Sequence, residues 1–167
     1  MKKWVNKILS AVIAVVTLFT LSVTAFAVPV TVQPLSQDNI YLYATFSPSG
    51  VNCRCNVFCG TDVTSITNGV LILKGSRNNV IVSKAGLSSS SNTLIYSCDA
   101  PAVPADTYKL VFNGYANTST GSRFISGSST YVYNGYSLYE VDSSFVTYEL
   151  PAGYEQKLVY SFDGTLY

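Results

Sequence analysis

The chain has 167 residues, with 10 lysines and arginines against 9 aspartates and glutamates, and it contains no histidine. The absence of histidine excludes Ser-His and Cys-His nucleophile pairs and imidazole metal ligands. Since no S-x-x-K, G-x-S-x-G, Walker-type glycine loop or acidic calcium loop is found either, we expect a non-catalytic protein without a cofactor.

The first 27 residues have the order of a secretory signal peptide. Three lysines precede an apolar run over residues 8–23, and Ala25-Phe26-Ala27 supplies small residues for a cleavage site. We therefore predict a signal peptide over residues 1–27 and a secreted, extracellular protein with no membrane span after cleavage. A retained anchor is the alternative, because the run is about as long as the shortest spanning helices, but Pro29 and Pro34 follow it closely.

The rest of the chain begins with an extended lead-in over residues 28–37 and then alternates between apolar and polar side chains. From residue 38 to residue 133 the period is two, and turn residues interrupt it at short intervals. The predicted strands are residues 40–46, 51–59, 70–73, 80–82, 93–98, 108–112 and 124–133. Asn68-Gly69 is predicted to be a tight turn and Asn113-Gly114 a bulge. This spacing is typical of an all-β sandwich of about seven or eight antiparallel strands.

Residues 104–112 read Pro-Ala-Asp-Thr-Tyr-Lys-Leu-Val-Phe and resemble the start of the F strand of immunoglobulin-like and fibronectin-III-like domains. In those families a tyrosine at this place bonds back to the backbone and pins the two sheets, and Tyr108 matches this tyrosine corner. Residues 38–133 are also similar in pattern to small uncharacterised β-sandwich proteins secreted by Gram-positive bacteria. The resemblance implies an immunoglobulin-like sandwich. The chain departs from the antibody type because Leu110 stands where that type has a cysteine.

Four cysteines in an exported chain indicate disulfide bonds. Cys53 and Cys55 lie about 7 Å apart on one face of a strand, which is too far for a bridge. Cys98 is therefore the expected partner, and we predict Cys55–Cys98, with Cys53 as the other choice. Cys53 and Cys59 would then be buried thiols, or a second bridge if Cys59 folds back. A four-thiolate zinc site is the alternative, but C-x-C-x₃-C is not a zinc-ribbon spacing, so no metal is predicted.

Residues 134–167 are rich in tyrosine and predict an additional C-terminal hairpin with arms at residues 145–150 and 154–162. Its tyrosines are either ordinary cross-strand partners, which we favour, or a face that stacks on sugar rings or packs on a protein. The candidate stacking residues are Tyr136, Tyr139, Tyr148, Tyr154 and Tyr160.

Three classes of function remain after these exclusions. The first is a secreted non-catalytic binding or interaction protein, whose partner would be an extracellular protein or a polysaccharide. The second is a carbohydrate or cell-wall binding module that uses tyrosine stacking, and the third is a secreted hydrolase that uses paired carboxylates. Removal of the leader leaves 10 − 3 = 7 basic residues against 9 acidic ones. We therefore expect no nucleic acid partner.

Overall fold

A computed structural model describes residues 38–160; the predicted signal peptide (1–27), the lead-in (28–37) and residues 161–167 lie outside the described residues. All regular secondary structure in residues 38–160 is β, and no helix there is long and apolar enough to cross a membrane. The strands are β1 (Asn39–Ser47), β2 (Gly50–Phe58), β3 (Val63–Gly75), β4 (Val80–Ser89), β5 (Thr93–Ala100), β6 (Asp106–Thr118), β7 (Ser122–Tyr133) and β8 (Leu138–Glu149). The seven predicted strands coincide with parts of β1 to β7.

The eight strands form two antiparallel sheets that pack against each other. The three-stranded sheet has the order β1-β2-β5, and the five-stranded sheet has the order β4-β3-β6-β7-β8. Alternation decides which face turns inward: on β2, Val51 and Val57 are buried, whereas Asn52 and Arg54 are exposed. The middle of β3 is buried on both faces, as a strand at the centre of a sandwich requires. The predicted all-β sandwich is confirmed.

The predicted turn at Asn68-Gly69 is wrong, because β3 continues through it. Asn68 has a φ of 52°, and the register between β3 and β6 shifts between Thr67 and Val70. The positive φ that favours asparagine in a tight turn here serves a β-bulge inside a long strand.

The predicted bulge at Asn113-Gly114 is also wrong, because the β6–β7 ladder runs regularly through both residues. The irregularity belongs to β3 instead. A Cβ atom on Gly114 would lie 3.1 Å from the ring of Phe112 and 3.4 Å from the Cα of Gly69. The glycine is therefore explained by close approach to its neighbours rather than by a bulge of its own.

Strand β1 packs closely on β7 of the other sheet. A Cβ atom on Gly127 would lie only 2.8 Å from Cγ2 of Ile40. Close by, the hydroxyl of the buried Tyr131 donates a hydrogen bond of 2.7 Å to the carbonyl oxygen of Leu42 on the other sheet. A glycine on one sheet and a hydroxyl between the two layers thus fix how β1 sits on β7.

A buried ion pair closes one end of the sandwich. Arg123 donates from Nε and Nη2 to both carboxylate oxygens of Asp38, at 2.7 and 2.9 Å, and both side chains are almost fully buried. The same guanidinium donates to Asp62 at 2.7 and 3.3 Å, but that carboxylate is 53% exposed. Burial lowers the pKa of Arg123, but the hydrogen bonds to Asp62 and Asp38 outweigh it and the net pKa is raised.

The two arms of the predicted C-terminal hairpin do not pair with each other in the described residues. The strand expected at residues 145–150 is the end of β8, which pairs with β7 along its whole length. Residues 154–160, the described part of the second predicted arm, form no strand. We call them the covering segment, since they lie on the outer face of the five-stranded sheet and hydrogen-bond to side chains of β3 and β6.

Candidate functional site

Tyr108 lies at the start of β6 with its ring buried in a cluster of aromatic side chains. Its hydroxyl donates a hydrogen bond of 2.7 Å to the carbonyl oxygen of Pro104, which is the backbone contact of a tyrosine corner. The ring of Phe46 lies 5.1 Å from that of Tyr108 and 5.1 Å from that of Tyr133. These contacts join β1 to β6 and β7, so the role of Tyr108 is structural.

The cysteines are all free thiols, so neither predicted bridge is formed. The preferred pair, Cys55 and Cys98, is not opposed in the ladder: Cys98 lies directly opposite Cys53, and Cys55 lies opposite Tyr96. The prediction placed β2 two residues out of register with β5, and a shift of two keeps the same side chains on the inner face. Cys59 lies just beyond the end of β2, six positions from Cys53, which places it about 20 Å away along an extended chain.

The thiols are poor nucleophiles and poor metal ligands in the folded chain. Burial raises the pKa of Cys53, Cys55 and Cys59 to about 12, and it also raises the pKa of Cys98. The thiolate form is therefore nearly absent at neutral pH. Among residues 38–160, no group of three or more cysteine, aspartate or glutamate side chains is placed to hold a metal ion.

The five candidate stacking tyrosines do not share one surface. Tyr136 is 98% exposed in the turn between β7 and β8. Tyr139 and Tyr148 stand near opposite ends of β8, about 30 Å apart by strand geometry. Tyr154 and Tyr160 belong to the covering segment, which lies across another part of the sheet. The described acidic residues of the tail, Glu140, Asp142, Glu149 and Glu155, are all exposed.

The outer face of the three-stranded sheet is the open surface of the sandwich. Tyr41, Tyr43, Phe58 and Ile95 project from it and are 48%, 50%, 38% and 55% exposed. None of the described residues covers them, whereas the covering segment occupies part of the corresponding face of the other sheet. We call this surface the open face. Sequence reasoning placed these side chains on strands but did not recognise them as a site.

The side chains of the open face form rows across the three strands. Tyr43 lies opposite Arg54, which lies opposite Ser97. The next row runs from Tyr41 through Asn56 to Ile95. Antiparallel neighbours in one row are about 5 Å apart, and successive rows are about 7 Å apart. The rings of Tyr41 and Phe58 meet edge to face at a centroid distance of 6.1 Å.

Polar groups between the aromatic rings are held in place by one another. The Nε atom of Arg54 donates to Oδ1 of Asn56 at 2.9 Å, which leaves the outer guanidinium nitrogens free to bind a ligand. Asn52 donates to Asp99 at 2.8 Å on the next strand. An open depression of about 420 Å³ is lined by Arg54, Asn56 and Asn52 together with Tyr43 and Thr45. The surface thus combines flat aromatic rings with directed donors and acceptors.

Comparisons with protein-family models, with curated proteins and with solved structures found no match to this chain.

Proposed function

We propose that this chain is a secreted, non-catalytic binding protein and that the open face is its binding surface. The observation that carries the proposal is that four half-exposed apolar side chains share one face of the three-stranded sheet with Arg54 and Asn56. Exposed apolar residues are ordinary when scattered, but a contiguous patch with polar groups among it is typical of an interaction site. The buried thiols and exposed acids described above offer no group suited to turnover, which supports a role in binding.

A polysaccharide is the ligand class that this composition favours over an extracellular protein. Sugar rings present an apolar C–H face, which packs on an aromatic ring such as Tyr41 or Tyr43, and hydroxyl groups around the edge. Arg54 and Asn52 supply donors beside those rings. The depression is shallow and mostly polar, which suits hydroxyl-rich ligands better than the apolar anchors that dominate protein interfaces. Stacking would thus occur on the open face and not on the tyrosines of the tail.

The arrangement of the sandwich supports an immunoglobulin-like origin of the scaffold, which we propose as the finer description of the fold. With β1, β2 and β5 as strands A, B and E, and β3, β6 and β7 as strands C, F and G, the order within both sheets agrees with that fold. The fourth strand differs, because β4 pairs with β3 instead of joining the first sheet. Tyr108 at the start of the F-type strand fits the same assignment.

The test is retention of the purified protein on insoluble peptidoglycan, cellulose and chitin, in parallel with a panel of immobilised extracellular proteins. Tyr43→Ala removes a central ring of the open face. Tyr139→Ala is the matched control, because Tyr139 is 58% exposed but lies on β8. We expect Tyr43→Ala to weaken binding to one polysaccharide about tenfold or more, with no change for Tyr139→Ala.

The outcomes separate the alternatives. Loss of retention in both variants alike would point to a general effect of tyrosine content and would contradict the open face as the site. Binding only to a protein, again lost in Tyr43→Ala, would keep the site and replace the ligand class. Equal retention of both variants on every support would end the proposal.

A further inference from the structure

The outer face of the five-stranded sheet contains a groove that binds the main chain of the covering segment. Two carbonyl oxygens of the segment, at Lys157 and Val159, each accept a hydrogen bond of 2.9 Å from a side chain of β6. Alternate residues are contacted in this way, as expected for an extended peptide lying on a sheet. The donors are Tyr115 and Asn113, and both are fully buried.

Asn113 is oriented by a neighbour on β7. Oγ of Ser126 donates to Oδ1 of Asn113 at 2.7 Å, which fixes the amide so that Nδ2 faces the segment and donates to Val159. A buried amide with no such ligand would lose a hydrogen bond at substantial cost. The groove is therefore built for an acceptor at this point.

The hydroxyl of Tyr115 is both a donor and an acceptor toward the main chain of one residue of the segment. Its hydroxyl donates to the carbonyl oxygen of Lys157 at 2.9 Å and accepts from the amide nitrogen of Lys157 at 3.2 Å. The ring packs edge to face on Phe124 at 5.5 Å. Burial raises the pKa of Tyr115, so the hydroxyl stays protonated and able to donate.

One side chain of the segment is recognised as well. Nε2 of Gln156 donates to Oδ1 of Asn117 at 2.6 Å, and its Oε1 accepts from Oγ1 of Thr67 at 2.8 Å. Leu158, in contrast, is 41% exposed. The groove thus selects a glutamine followed by an extended main chain and leaves the side chain two positions later in solvent.

We propose that this groove is an exchangeable peptide site and that residues 154–160 of a second copy of the chain can occupy it in place of the chain's own covering segment. No contact in the groove depends on the connection to β8, which is the exposed turn at residues 151–153. That turn has one backbone hydrogen bond, from Tyr154 to Pro151, and Gly153 at a φ of 81°. Exchange of an identical element between copies is a low-cost route to a dimer, and effective concentration decides between the closed and the exchanged form.

The first experiment shortens the turn in the full-length chain. Deletion of Ala152 and Gly153 prevents the segment from folding back, and insertion of two glycines at the same place is the matched control. We expect a dimer by size-exclusion chromatography with light scattering for the deletion and a monomer for the insertion. Adding Tyr115→Phe to the deletion should weaken dimerisation at least about tenfold, since each groove loses a hydroxyl that makes two hydrogen bonds. The proposal would be overturned if the deletion variant folded but stayed monomeric at millimolar protein concentration, and if its residues 154–160 were cleaved by added protease.

A second experiment tests exchange of the segment even if the deletion variant does not fold. The full chain with a protease site in place of Ala152 is cut, and a fluorescent peptide of residues 154–160 is added. We expect the peptide to exchange into the groove, to bind about tenfold more weakly when Gln156 is replaced by alanine, and to bind unchanged with Leu158→Ser. Unfolding of the body on cleavage, or no binding of the peptide at millimolar concentration, would show that the segment is a fixed part of the sandwich and would contradict exchange.

Discussion

The substitution Asp38→Asn removes the buried carboxylate of the ion pair that closes one end of the sandwich, and we predict that it destabilises the protein. Asp38 accepts two hydrogen bonds from Arg123 and one from the backbone of Gly60, and its side chain is fully buried. An amide in its place leaves a buried guanidinium with one partly exposed partner. Removing one member of a buried pair costs about 3 kcal/mol or more. For a domain of this size that lowers Tm by about 10 °C.

The matched control is Asp62→Asn, which removes the other carboxylate bound to the same guanidinium. Because Asp62 is 53% exposed, solvent screens the pair, and we expect a loss of about 1 kcal/mol or less. Equilibrium unfolding in urea, followed by circular dichroism, measures both variants against the parent. Equal losses for the two variants, or a loss below about 1 kcal/mol for Asp38→Asn, would refute the argument from burial.

The pH dependence of the stability difference between the parent and Asp62→Asn tests whether Arg123 is the partner of Asp62. The hydrogen bond from Arg123 holds the pKa of Asp62 below its ordinary value of 3.8. A carboxylate with a lowered pKa in the folded state contributes its stabilisation above the unfolded pKa, and this contribution is lost as the pH falls through the folded pKa. The difference in stability between the parent and Asp62→Asn should therefore be constant near neutral pH and shrink below pH 3.8. A difference that grew on acidification would contradict the assigned partner.

Two further predictions concern packing and register. Gly127→Ala should lower the free energy of unfolding in urea by about 1–3 kcal/mol, because the new Cβ would lie 2.8 Å from Ile40. Gly121→Ala is the control and should be nearly neutral, since its Cβ would meet no atom within 4 Å. Similar losses at both positions would mean that the sheets are not in close contact at Gly127. The four free thiols should resist alkylation by iodoacetamide in the folded chain and react rapidly in urea, because burial raises their pKa; rapid labelling of the native protein, measured by mass spectrometry, would contradict the register that turns these side chains of β2 and β5 inward.

The strands were predictable because alternation depends on neighbours close in sequence. The pattern around Cys53 and Val57 assigns both to the inner face of β2, and that is where the structure has them. Local residue preferences were less informative. Asn68 adopts the positive φ that its type favours, but the sequence does not distinguish a turn from a bulge, since both satisfy the same backbone requirement.

The site was harder to find because it depends on which face of a sheet remains uncovered. Alternation places Tyr41 and Tyr43 away from the core, but only the tertiary arrangement shows that none of the described chain lies over them. The covering segment and the contact of Asp38 with Arg123 are also products of distant pairing, in the latter case across 85 positions. Such pairs leave no periodic signal, and no single residue type marks them.

The position of Arg123 in the chain has a consequence for biosynthesis. A ribosome delivers Asp38 long before the arginine that neutralises it, so the first strand cannot settle into the interior while that carboxylate still requires water. The final packing of β1 on β7 must therefore wait until Arg123 has been synthesised, although β1 can already pair with β2.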